Sequence, residues 1–249
     1  MKKFSVSNQK GGVGKTTISF NLAKGLSLNG YKVLAIDNDP QGNLTCSFTE
    51  DPFSIKAKTL DWYEGKKVIP HVITENLHLV GADLKLARVS EKAFDVVFGI
   101  KEGLSKLDNQ NYDIVIIDCL PSFGHMHLAA LIAADYALIP IKPSPYAVHG
   151  IKDLFDTIIK AKDRLNPALD IFGIIINLID GRKLIMEREI EEGLRESYPD
   201  LVFKSKLSKR VKMEESPGFC QSLFEYDPKG ASTKEFKIFI DEFIKRMEK

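Results

Sequence analysis

One segment narrows the possible folds of this chain more than any other: Lys10-Gly-Gly-Val-Gly-Lys-Thr-Thr17. It follows a short apolar run at 4–7 and precedes helical periodicity over 15–28, so a glycine-rich loop joins a strand to a helix. Such a loop wraps so that successive N–H groups converge on phosphate oxygens, and the helix N-terminus adds its partial positive charge. Gly11, Gly12, Val13 and Gly14 make the cradle, Lys15 reaches for the terminal phosphates, and Thr16, ahead of Thr17, offers a hydroxyl to Mg²⁺.

The remainder of the chain repeats the strand-then-helix alternation. Strands are expected near 4–7, 32–36, 77–80, 114–117, 136–141 and 171–176, and helices over 15–28, 93–107, 125–133, 149–164, 184–198 and 234–247. This pattern predicts an α/β fold with a mostly parallel central sheet flanked by helices on both faces. The runs 114–117 and 173–176 are apolar throughout and are expected mid-sheet, covered on both sides. No repeat, low-complexity tract or Pro/Ser-rich linker divides the chain, so 1–249 is expected to be one domain.

Charge and cysteine usage exclude several classes of function. The 249 residues hold 35 Lys plus Arg against 34 Asp plus Glu, a net charge of +1, so any attraction to nucleic acid or membrane is local. Cys46, Cys119 and Cys220 are odd in number and form no CxxC pair, which argues against a disulfide framework or a zinc site and fits a reducing cytoplasm. The apolar run after Met1 is too short for a signal-peptide core, and no stretch approaches about 18 apolar residues.

The loop departs from the ordinary phosphate-loop pattern, because Gln9 stands where glycine is usual and a second lysine, Lys10, follows. NQKGGVGKTT resembles the deviant Walker A loop of the ParA/MinD group of ATPases, and Gln9 resembles the ParA branch. The resemblance implies a P-loop NTPase fold, ATP and Mg²⁺ as cofactors, and a homodimer in which Lys10 reaches the phosphates of the other subunit. Asp37-Asn-Asp-Pro-Gln-Gly-Asn43 is similar to the family's DxDPQGN stretch. A carboxylate beside a phosphate loop can hold a magnesium-bound water or orient the attacking water, and Asp39 takes the second role and stands near the metal. Tyr112-Asp-Ile-Val-Ile-Ile-Asp118 ends in the acid expected to meet magnesium as a Walker B carboxylate. The Cys119-Leu120-Pro121-Ser122 that follows departs from the family's Thr-Pro-Pro-Ser loop, and Cys119 reads as a buried structural thiol. His125 and His127 have no metal-ligand spacing and read as helix-start residues. Asn177, in the segment 177–182, and Pro217 fall where relatives contact the base, and the resemblance covers nearly the whole chain.

Lys204, Lys206, Lys209, Arg210 and Lys212 make a basic stretch without an acid, suited to salt-dependent, sequence-blind contact with phosphate backbone. Relatives carry DNA-binding arginines where Lys209 and Lys212 stand, and lysine keeps the charge but loses the bidentate fork. The resemblance therefore implies nonspecific DNA as a partner, a nucleoid-associated cytoplasmic location, and a ParB-like protein that stimulates slow hydrolysis. A MinD-like membrane regulator is the alternative, raised by Phe236, Phe239, Ile240, Phe243, Ile244 and Met247 on one side of the last helix. The mixed charges of its other side, Asp241 and Glu242 among Lys237, Lys245 and Arg246, favour core packing over a lipid anchor. The chain begins almost at the first strand, and no N-terminal helix-turn-helix for operator binding is expected.

Overall fold

The computed structural model describes residues 1–107, 111–122, 124–144, 147–181 and 184–249. Eight strands form one sheet: β1 (Lys2–Val6), β2 (Val33–Asn38), β3 (His71–Thr74), β4 (Leu77–Val80), β5 (Ile114–Cys119), β6 (Tyr136–Ile141), β7 (Asp170–Ile179) and β8 (Val202–Ser208). They lie in the order β3-β4-β2-β5-β1-β6-β7-β8, and every pairing is parallel except β3 with β4. The short loop between β3 and β4 permits that antiparallel hairpin, whereas the parallel pairs are joined by long crossovers.

Helices α1 (Lys15–Leu28) and α10 (Ala231–Met247) cover one face, where Phe4, Phe20, Phe172, Phe203, Phe236, Phe239 and Phe243 share a core. The rings of Phe4, Phe172 and Phe243 meet at centroid distances of 4.7 to 4.9 Å, within the range in which aromatic pairs add about 0.5–1.5 kcal/mol each. The expected packing of the last helix is observed, with Phe236, Phe239, Ile240 and Phe243 buried. Among the described residues no helix is long and apolar enough to cross a membrane. The opposite face is covered by α3 (Thr59–Tyr63), α4 (Gly99–Ser105), α5 (His125–Ala133), α6 (Ala147–Arg164) and α7 (Leu184–Ser197).

Three expectations are corrected. The helix expected over 93–107 is a 3-10 turn, Phe94–Phe98, followed by the short α4, in which Gly103 lies flat against the Trp62 ring. The run 173–176 is buried as expected, but its strand is next to the edge of the sheet rather than central, because β8 alone lies beyond it. β8 itself comes from the basic stretch, whose exposed lysines hid a strand that buries Val202, Phe203 and Leu207. The remaining short helices, α2 (Asn43–Phe48), α8 (Val211–Glu215) and α9 (Leu223–Tyr226), were too brief to show a helical period.

Candidate functional site

The sheet brings three strand ends together beneath the glycine loop. β5 pairs with both β1 and β2, in a register that sets Asp118 opposite Val6 on one side and Asp37 on the other. The loop leaves β1 and feeds straight into α1, so Thr16 of the first helical turn stands over Asp118. Its hydroxyl donates to Asp118 Oδ2 at 2.7 Å, and Ser19, one turn on, donates to Oδ1 at 2.8 Å. Asp37 accepts from the Thr45 N–H at 2.8 Å and the Thr45 hydroxyl at 2.7 Å.

Both carboxylates are fully buried. Burial, with Asp37 adding repulsion, pushes Asp118 up to about 7, and burial pushes Asp37 up to about 6 against its hydrogen bonds. Two adjacent anions held in low dielectric form a site where a divalent cation is electrostatically favoured. The oxygen donors of Thr16 and Asp118 suit a hard cation such as Mg²⁺. Asp39 is also buried, its N–H donating to Asp37 Oδ1 at 3.2 Å and its Oδ1 accepting from the Gln41 N–H at 2.9 Å in an Asx turn.

The loop is tied down at both ends. Asn8 donates to the Pro140 carbonyl at 2.7 Å and accepts from the Lys10 N–H at 2.9 Å. Lys15 is buried and its Nζ donates to the Lys10 carbonyl at 3.2 Å. Burial lowers the Lys15 pKa, while Asp118, Cys119 and Asp39 oppose that shift. Lys10 is exposed, and its Nζ donates to the Ser144 hydroxyl at 2.8 Å. Gly12 at φ 69 and Gly14 at φ 86 hold left-handed backbone that wraps the loop. A Cβ built on Gly11 or Gly12 meets nothing within 4 Å, so the space over the loop is open to a phosphate chain.

The two residues expected at the base, Asn177 and Pro217, lie on separate elements. Asn177 is fully buried beneath the loop, and its Nδ2 donates to the Val13 carbonyl at 2.8 Å. The amide nitrogen is thus engaged by the phosphate loop, while Oδ1 is buried without a hydrogen-bond partner among the described residues. Arg182, at the end of the same segment, lies outside the described residues. Pro217 opens the 3-10 turn Ser216–Phe219, which packs on α2, the helix that follows the Asp39 segment. Cys119 is buried and pushed up to about 12 by burial, as a structural thiol should be. α5 begins at His125, as expected, and buries His127.

The basic stretch is less available than its sequence suggests. Lys206 pairs with Glu191 at 2.9 Å, Arg210 with Glu235 at 2.9 Å and Lys209 with Glu214 at 3.9 Å. Lys212 sits over the Tyr226 ring at 5.0 Å, and Lys204 is exposed. Glu191 and Glu235 come from α7 and α10, distant enough in sequence that the run itself conceals them, whereas Glu214 on α8 follows the run directly. Ser19, Thr45, Asn8 and Ser144 also escaped notice, although Ser19 follows Thr16 at the spacing of one helical face.

A family model described as an AAA domain matches residues 1–171. The chain is 31% identical to the sporulation initiation inhibitor protein Soj of Bacillus subtilis, over 94% of this chain and 95% of that protein. It is 32% identical to the chromosome partitioning protein ParA of Myxococcus xanthus, over 97% of this chain and 87% of that one. Among solved structures, a plasmid partition protein from Borrelia burgdorferi superimposes with a TM-score of 0.78 at 27% identity, covering 98% of each chain. Cobyrinic acid a,c-diamide synthase from Mycobacterium smegmatis, solved with a bound ATP analog and magnesium, does so with a TM-score of 0.82 at 26% identity, over 99% of this chain and 95% of that one. With the phosphate loop, the paired acids and the strand order all in place, the chain belongs to the ParA-type family of partition ATPases.

Proposed function

We propose that this protein is a positioning ATPase: ATP and Mg²⁺ close two copies face to face, the dimer holds DNA without regard to sequence, and hydrolysis releases it. The observation that carries the reading is the stack of Thr16, Asp118 and Asp37 at the foot of an open phosphate loop that presents a second, exposed lysine. Thr16 and Asp118 hold Mg²⁺, which when bound neutralises phosphate charge. The N–H groups of Gly11, Gly12, Val13 and Gly14, with those of Lys15, Thr16 and Thr17 behind them, position the triphosphate. Lys15 balances the charge that develops as the terminal phosphoryl group moves to water. Asp39, its Oδ1 fixed by the Gln41 N–H, orients that water. Lys10 leaves Ser144 and reaches into the site of the other subunit, which makes full activity depend on dimerisation.

Lys204, Lys206, Lys209, Arg210 and Lys212 supply the DNA contact, and a ParB-like partner stimulates turnover in a cytoplasmic, nucleoid-associated setting. The test is binding of purified protein to random-sequence DNA with ATP, ADP or no nucleotide, over a salt series, for the natural chain and for K209A/K212A. Salt-sensitive binding that requires ATP and is lost in the double variant is the expected result. Nucleotide-independent binding, or none alongside intact hydrolysis, refutes the DNA step and leaves only the ATPase.

A further inference from the structure

Strand β7 shifts register against β8 twice, and the second shift lies next to Asn177. Ile176 pairs with Lys206 and Ile179 with Ser208, so three steps along β7 match two along β8. The additional residue is taken up as a bulge in which Leu178 adopts φ 58, a left-handed conformation that costs a leucine free energy. Bulges re-aim side chains. This one brings the neighbouring Asn177 under the phosphate loop, with Nδ2 donating to the Val13 carbonyl at 2.8 Å. The orientation of the amide follows from its partner, since the reverse would set Oδ1 against a carbonyl oxygen. Nδ2 also lies 2.3 Å from where a Cβ on residue 14 would stand, so the asparagine and the left-handed Gly14 fit only each other.

We propose that Asn177 is a positioning residue of the phosphate loop. Held by the bulge, its amide fixes Val13 and Gly14 and keeps the loop N–H groups turned toward the triphosphate, whatever base is attached. The inference rests on the ATPase reading and gives Asn177 a task other than the base contact implied by family resemblance.

Calorimetric titration with MgATP and with the base-free probe magnesium tripolyphosphate separates the two tasks. Asn177→Ala is expected to weaken both ligands in parallel, about tenfold or more, because a buried hydrogen bond is lost. Leu178→Ile, which tolerates left-handed backbone worst, is expected to reproduce that parallel loss, whereas Leu178→Gly keeps both affinities within about twofold. Thermal unfolding of each variant confirms a folded chain, and the Leu178 pair carries the test if Asn177→Ala does not fold. Loss of MgATP with tripolyphosphate unchanged shows that Asn177 serves the base and overturns the proposal, as does no change in either ligand. A natural chain that binds neither ligand removes the ATPase reading itself, and this inference with it.

Discussion

Three alanine substitutions in the phosphate loop are expected to separate stability from binding. Gly11 is outside the left-handed region with nothing within 4 Å of an added Cβ, Gly12 is left-handed in open space, and Gly14 is left-handed with Asn177 in the way. Gly11→Ala is therefore neutral or stabilising by up to about 1 kcal/mol, through reduced freedom of the unfolded chain. Gly12→Ala costs about 1–2 kcal/mol of backbone strain. Gly14→Ala costs that strain and also displaces the Asn177 amide from Val13, a further ~1–3 kcal/mol, for a total of roughly 2–5 kcal/mol. At roughly 2–4 °C per kcal/mol for a chain of this size, Tm is unchanged or rises by up to about 4 °C for the first variant and falls by roughly 4–20 °C for the third. Calorimetry without nucleotide measures this order. Titration with MgATP adds the second half of the prediction: Gly11→Ala loses nucleotide while keeping its stability, since its methyl enters the open phosphate space. A Gly14→Ala protein as stable as Gly11→Ala would refute the argument that Asn177 and Gly14 are packed as a unit.

Four further outcomes are expected. Lys10→Ala lowers ATP turnover by about 10³- to 10⁵-fold if the lysine stabilises charge in the other subunit, and a change of only a few-fold in single-turnover hydrolysis would return it to a surface role. Asp118→Asn raises Tm at pH 8 without Mg²⁺ while abolishing turnover; because the folded pKa is raised to about 7, the native state's advantage is intact in acid and lost as pH rises through 7, so the gain shrinks by pH 5. Burial, helped by Lys15, holds His127 down to about 4, so stability is intact above pH ~6.5 and falls by ~3 kcal/mol as pH drops through 4; denaturant titrations of His127→Gln should show a flatter acid limb. For the proposed DNA contact, phosphate engagement by all five cations of the basic stretch gives a salt slope of about −4.5 per subunit, and engagement by Lys204 and Lys212 alone gives about −1.8.

The phosphate loop, α1 and the acids at the ends of β2 and β5 were legible because each depends on local chemistry: glycine spacing, a helix start, an apolar run closing on aspartate. Even the pairing of Asp37 with Asp118 follows once two parallel strands are neighbours. What escaped reading was set by distant residues. β8 looked like a charged run because its lysines face solvent and its buried residues, Val202, Phe203 and Leu207, do not strictly alternate. The hydrogen bond of Asn177 to the loop was not legible because no sequence pattern marks a bulge, and the left-handed Leu178 within it is a residue with no preference for that conformation. The α4 segment has helical spacing, but the demand of Trp62 for a glycine-lined face confines it to two turns.

The same distinction between local and distant partners bears on how the proposed DNA contact of a nearly neutral protein would be released. Exposed ion pairs contribute about 0–1 kcal/mol, so the Lys206–Glu191 and Arg210–Glu235 pairs hold their cations only loosely. A phosphate backbone can displace those glutamates, and each displacement returns part of its free energy when DNA leaves. The acids therefore subtract from affinity without blocking it, and they shorten the range over which the patch attracts DNA at physiological salt. An unopposed arginine cluster would bind more tightly and depend less on a second subunit. Under the proposed function, a single subunit would offer too little attraction to stay bound, and two subunits joined by nucleotide would double the patch. Control of the proposed DNA contact by ATP would then need no rearrangement of the basic residues, only the making and breaking of a dimer that brings two weak surfaces onto one DNA duplex.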